Sequence, residues 1–228
     1  MQKNSCDLKS CFLCQFSVQA WKSAISGNKQ TLSFKKGDIV FAEGEQVKGI
    51  YFIYEGTVKV HKQWGGNQKE LIIRFAKAGD VLGHRGLGGN ESYPVSATAL
   101  ENLKVCFINN DFLEASLTVN PTLTYKLMQL YATELQKAEK RMTGLAHMEV
   151  KGRIAEALLE LRGLFGITET GFFAVAISRQ DIASFAGTTY ETIFKVFTEW
   201  IQEKLIETSG KSIKILQEDA LKKFLLVK

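Results

Sequence analysis

Residues 178–207 read SRQDIASFAGTTYETIFKVFTEWIQEKLIE, and the order of residue types in this stretch decides the fold of the C-terminal third. Ser178 is a helix N-cap with an acid, Asp181, three positions on, close to a capping box. Ala183 and Ala186 are small, and Gly187 supplies the stop. Thr188 or Thr189 then caps a second helix with Ile193, Phe197, Trp200 and Ile201 on one face. Two short helices about a tight glycine turn predict a helix-turn-helix. Beyond them LIETSGKSIKIL reads as two short strands around Ser209-Gly210, a hairpin or wing.

A helix-turn-helix places the N-terminal residues of its second helix in the DNA major groove. Tyr190, Glu191 and Lys195, with Thr189 and Thr192 at the margin, point away from the apolar face and are the predicted base-reading set. Phosphate repels Glu191, but its carboxylate accepts a hydrogen bond from cytosine N4, so it reads sequence and weakens non-specific binding. Lys195 reaches guanine or phosphate, while Arg179 and Lys211 on the wing hold the backbone. Each charge taken singly reads as a solvated surface residue; the ordered set of cap, turn, recognition face and wing favours the functional reading. Net charge does not make the case. The excess of +5 falls before Glu149, where 18 Lys and Arg face 13 Asp and Glu, whereas from Glu149 onward the balance is 11 against 11.

Working outward, VKGRIAEALLELRGLFG from Val150 predicts a further helix ending at Gly166. Upstream, Asn120-Pro121 opens a long helix, Asn120 as cap and Pro121 in the first turn. Met128, Tyr131, Leu135, Ala138, Met142 and Leu145 recur at spacings of 3, 4, 3, 4 and 3, a coiled-coil seam. A second apolar set, Leu123, Leu127 and Leu130, lies on a neighbouring face. One set suffices to pack the helix on its own domain, so the seam predicts a homodimer. Between about Thr31 and Ile108 the chain reads as short strands with glycine turns: Val58 and Val60 alternate with Lys59 and His61. Turn signals at Glu55-Gly56, Gly65-Gly66-Asn67 and Ala78-Gly79-Asp80 divide the run into an antiparallel barrel or sandwich.

Length and a hydrophobic fraction of 45% suit one large or two small globular domains. No run of about 18 apolar residues and no basic-then-apolar leader is present, so a cytoplasmic protein without membrane association is expected. Three scattered histidines, His61, His84 and His147, form no catalytic or zinc spacing, and no enzyme is expected. The chain divides into a cysteine segment with a barrel (1–120), a dimerisation helix (121–148) and a winged helix-turn-helix (149–228).

The order of β barrel, long helix and winged helix-turn-helix resembles the cyclic-AMP receptor protein and FNR family of bacterial transcription regulators. The similarity rests on KKGDIVFAEGE, YFIYEGTVKV, AGDVLG and the 178–207 stretch, with Glu191 and Thr192 at the family's Glu-Thr. It implies an α+β fold: a double-stranded β-helix (jelly-roll) barrel of the cyclic-nucleotide-binding type, a dimerisation helix and a winged helix-turn-helix. It also implies a homodimer on palindromic double-stranded DNA, with RNA polymerase as a further partner. Tyr190 stands where members usually carry arginine or another base-reading polar residue. Lys195 stands where members often carry an arginine, giving a point charge in place of a bidentate fork.

The family's ribose and phosphate cassette falls on Gly83, His84, Arg85, Glu91 and Ser92. His84 takes the place of the ribose glutamate and Glu91-Ser92 that of the phosphate-binding Arg-Ser pair. A carboxylate for an arginine reverses the local charge and argues against cyclic AMP. Those side chains suggest a neutral or cationic effector instead, or an unused pocket.

The family's redox mode uses an iron-sulfur cluster, and Cys6, Cys11, Cys14 and Cys106 match its ligands in number. The N-terminal spacing is C-x4-C-x2-C, whereas FNR-type chains have C-x2-C-x5-C. The alternatives are a thiol switch, or a buried strand cysteine at Cys106 with incidental N-terminal thiols. A small-molecule module with a vestigial DNA domain is the remaining reading of the whole chain.

Overall fold

The computed structural model describes residues 11–65, 69–88 and 91–225. Among the described residues the chain forms two compact units, the first within 11–63 and 72–134, the second within 64–71 and 135–225.

The first unit is built on strands β1 (Gln30–Phe34), β2 (Ile39–Phe41), β3 (Gly49–Glu55), β4 (Val58–Trp64), β5 (Lys69–Ala76), β6 (Val81–Leu82), β7 (Ser96–Ala99) and β8 (Leu103–Asn109). They make two four-stranded sheets in the orders β1-β8-β3-β6 and β2-β7-β4-β5. Neighbours such as β3 and β8 pair antiparallel, with Phe52 opposite Cys106. The expected jelly roll is thus present, and the period-2 rule explains its two cores. Tyr51, Ile53, Leu103 and Val105 face between the sheets and meet Val58 and Val60 from the other side. Their neighbours Ile50, Phe52, Cys106 and Ile108 face outward. That outer face is covered by α1 (Phe12–Phe16), α2 (Lys22–Asn28), α3 (Asn110–Val119) and the start of α4 (Pro121–His147). Strand β3 is therefore apolar along most of its length, because both of its faces are buried.

Leu123 and Leu130 of α4 turn into this outer core, and Leu127 is buried as well, as their spacing predicts. Asn120 occupies the junction differently from the expected side-chain cap. Its carbonyl accepts the Thr124 N–H at 3.1 Å, but its side chain accepts from Val18 N–H at 2.7 Å and donates to the Ser116 carbonyl at 2.7 Å. The buried amide is used to fasten the N-terminal segment, which holds more of its hydrogen-bonding capacity than a cap would.

The second unit contains α5 (Val150–Phe165), α6 (Arg179–Ala186), α7 (Tyr190–Gln202), the hairpin β9 (Ile206–Ser209) and β10 (Ser212–Ile215), and α8 (Glu218–Lys223). Its core gathers Ile154, Leu158 and Leu161 of α5, Ile182 and Phe185 of α6, and Ile193, Phe197 and Trp200 of α7, all buried. Burial of each large side chain contributes about 1.5–3 kcal/mol. Among the described residues no helix is long and apolar enough to cross a membrane.

Candidate functional site

The local chemistry that predicts the helix-turn-helix also builds it. Ser178 Oγ accepts from the Asp181 N–H at 3.0 Å and donates to the Asp181 carboxylate, so the start of α6 is doubly closed. Gly187 ends α6 at φ 63°, a left-handed conformation, and a Cβ there would stand 2.6 Å from Leu145 Cδ2. Thr189 then caps α7, accepting from the Thr192 N–H at 3.3 Å. The α6 carbonyls that this turn leaves without helical partners are taken by two arginines. Arg141 donates to Phe185 O and lies over the Phe185 ring. Arg153 donates to Ala186 O at 3.1 Å, to Gly187 O at 3.3 Å and to Met148 O at 2.8 Å. Neither arginine was expected from sequence; a cation inside the apolar helix VKGRIAEALLEL was the available signal.

On α7, Thr189, Tyr190, Glu191 and Lys195 are exposed, and Thr192 is half-buried. The Glu191 carboxylate is held below the usual carboxylate range by its own backbone N–H and by Thr189, both at the helix N-terminus. It is thus an acceptor as presented. Lys211 is exposed in the tight turn of the β9–β10 hairpin, next to Gly210 at φ 59°. Arg179 is half-buried. Its guanidinium carbon lies 6.0 Å from the Phe194 ring and 5.8 Å from the Phe197 ring, with Nη2 3.4 Å from Thr208 Oγ1. Its head is therefore anchored on the wing and on α7, where the sequence suggested a backbone-holding arginine.

In the barrel, Gly83, His84 and Arg85 line a cleft together with Arg74, Tyr93 and Val95. Gly83 is at φ 81°, and a Cβ there would approach Gly49 O to 3.2 Å, so the turn needs glycine whatever the cleft holds. Glu91 and Ser92, expected at the phosphate position, do not line it. Glu91 is exposed, with its carbonyl accepting from Val47 N–H at 2.8 Å, and Ser92 bridges to Gln46. Glu91 adopts a left-handed backbone at φ 47°.

Three of these lining side chains share one partner, Glu134 of α4. Its Oε2 accepts from His84 Nε2 at 3.0 Å and from Arg85 Nε and Nη2 at 3.0 and 2.9 Å, while Oε1 lies 3.1 Å from Arg74 Nε. Burial pushes this carboxyl up, but the His84 hydrogen bond and the charges of Arg74, His84 and Arg85 outweigh it and hold the group at about 2. Burial lowers Arg74 while the carboxylate opposes that shift. Tyr131, one turn before Glu134, donates its hydroxyl to the His84 carbonyl and stands edge-on to the His84 ring. The cationic side chains of the cleft, Arg74 and Arg85, thus already meet a carboxylate of the chain itself.

Along α4, Met128, Leu135 and Met142 are 62, 62 and 65% exposed, and Ala138 and Leu145 are exposed as well. Tyr131 departs from that seam by reaching the barrel with its hydroxyl. Cys11, Cys14 and Cys106 are buried thiols in the one outer core, and Cys6 lies outside the described residues. The Cys14 hydrogen bond, opposed by burial, holds the Cys11 thiol down at about 7. Among the described residues no three His, Cys, Asp or Glu side chains gather as metal ligands. The described thiols comprise the hydrogen-bonded pair Cys11 and Cys14, with Cys106 of β8 in the same apolar core.

Residues 31–119 match the cyclic nucleotide-binding domain, and residues 152–224 match the Crp-like helix-turn-helix domain. The chain is 31% identical over 192 residues to the transcriptional activator protein Anr of Pseudomonas aeruginosa, covering 82% of this chain and 77% of that one. It is 26% identical over 201 residues to the CRP-like cAMP-activated global transcriptional regulator of Mycobacterium tuberculosis, covering 87% of this chain and 89% of that one. The solved structure of FixK2 from Bradyrhizobium japonicum superposes with a TM-score of 0.77 at 24% identity, over 88% of this chain and 98% of that one. These relatives are transcription regulators and not enzymes, and the helix-turn-helix is of the DNA-binding kind. The chain belongs to the CRP/FNR family of transcription regulators.

Proposed function

We propose that the protein is a homodimeric regulator that reads an inverted repeat in duplex DNA through α7 and works without cyclic AMP. The observation that carries the reading is the Glu134 carboxylate on His84, Arg85 and Arg74. A cyclic phosphate entering the cleft competes with Glu134 for the same donors and meets its negative charge. His84, Arg85 and Arg74 of the barrel are thereby held by the chain's own helix.

Recognition is assigned to Tyr190, Glu191 and Lys195, with Thr189 and Thr192 beside them and with Arg179 and Lys211 towards the backbone. The exposed run Met128, Leu135, Ala138, Met142 and Leu145 supports pairing with a second copy of α4, since three of these side chains are more than half exposed. Two copies present two recognition helices related by a two-fold axis, which an inverted repeat matches. RNA polymerase is the partner on which such a regulator acts at a promoter. Selection from randomised duplexes by the full chain, without nucleotide, tests the reading: an enriched inverted repeat is expected, and the absence of any enriched sequence contradicts it.

A second reading, thiol redox control, is favoured by the Cys11 thiol held near neutrality beside Cys14. An oxidant of the peroxide class would take two electrons from the pair, forming the Cys11–Cys14 disulfide and water. DNA affinity that is the same before and after peroxide treatment removes it.

A further inference from the structure

The apolar face of α7 is accounted for inside its own unit: Ile193, Val196, Phe197 and Trp200 are all buried. Phe194 is not part of that face. It is 51% exposed, in the middle of the helix, between the exposed polar residues Glu191 and Lys195. Residues three and four apart share a helix face, so Tyr190 and Glu191 one turn before it and Thr198 one turn after it stand with Phe194 on the surface assigned to DNA. A lone exposed apolar side chain is ordinary on a protein surface. This one lies within the base-reading face and is flanked by the Arg179 guanidinium, whose Nη2 reaches Thr208 of the wing.

Base edges in the major groove offer one apolar group to such a side chain, the thymine C5-methyl, and phenylalanine is among the residues that meet it. Resting on the DNA-reading assignment above, we propose that Phe194 is a specificity-determining residue of this regulator, selecting thymine by contact of its exposed ring with the C5-methyl. A polar side chain at this position would accept either donor or acceptor edges. Phenylalanine offers neither, so the preference comes from burying the methyl group and from leaving the polar edges of other bases without a partner. Arg179, close to the Phe194 ring on one side, limits the directions from which a base can approach.

The test uses the full chain and the duplex recovered by selection, with each thymine of one half-site replaced in turn by deoxyuridine, which differs only in lacking the methyl. Removing one methyl contact is expected to weaken binding about fourfold at one thymine position and to leave the others unchanged. Phe194→Ala and Phe194→Ser are expected to lose the distinction between thymine and deoxyuridine at that position, and Phe194→Leu to keep it. The ring is exposed, so circular dichroism and urea midpoints of the variants should match the parent. Equal affinity of the parent chain for every deoxyuridine duplex overturns the proposal and leaves the DNA-reading assignment standing. Failure to bind any duplex overturns both.

Discussion

Glu134 Oε2 accepts hydrogen bonds from Arg85 at 2.9 Å and from His84 at 3.0 Å, so one carboxylate of α4 engages two side chains of the cleft. The pH dependence follows from its position. The folded carboxyl titrates at about 2 against an ordinary 4.5, so the unfolded chain binds the proton first as pH falls. The stabilisation is complete above about 4.5 and is lost progressively down to about 2; the shift corresponds to about 3 kcal/mol as an order of magnitude. Glu134→Gln is expected to lower the urea midpoint at pH 7 and to flatten this acid limb, measured as stability against pH for both proteins.

Arg153 carries the carbonyls of Ala186 and Gly187, and so sets the turn before the recognition helix. Arg153→Ala leaves buried acceptors without partners, a cost of about 1–3 kcal/mol. A lower urea midpoint and weaker DNA binding are expected together. Arg153→Lys should recover little of either, because a lysine cannot span several carbonyls as the guanidinium fork does.

Glu191 stands at the N-terminus of α7 as an ionised acceptor. Glu191→Ala is expected to relax discrimination at one base pair of each half-site by roughly tenfold while binding to unrelated duplexes strengthens. Competition assays against single-base-pair variants of the selected site measure both effects. Equal weakening on every sequence would place Glu191 outside base reading.

Leu135 and Met142 are each more than 60% exposed on α4. Leu135→Glu with Met142→Glu is expected to give a monomer in sedimentation at micromolar protein and to lower affinity for the full inverted repeat by at least tenfold, with half-site binding unchanged. A monomeric parent chain would remove the dimer from the account.

The parts of this molecule that were legible in the sequence are those fixed by local chemistry. Ser178, Gly187 and Thr189 work within a few residues of themselves, and Leu123 and Leu130 follow helical period onto a core. The carboxylate in the cleft was hidden because His84 and Glu134 are 50 residues apart and meet only once α4 lies across the barrel. Arg74 inside the strand ELIIRFA was the trace it left, a charge at an otherwise apolar stretch that had to find a partner. Glu91 and Ser92 were placed by alignment on GDVLG, whereas their pairings with Val47 and Gln46 lie more than 40 residues away in sequence and carry no local signal. Phe194 was passed over because a phenylalanine beside Ile193 and Phe197 reads as core, and only its exposure separates it from them.

The central claim is that the barrel is organised by Glu134 and needs no nucleotide. Titrating cyclic AMP from nanomolar to millimolar against the parent chain and the selected duplex tests it directly. The account predicts an unchanged DNA dissociation constant throughout, and a cyclic AMP-dependent tightening of DNA binding at micromolar nucleotide would contradict it.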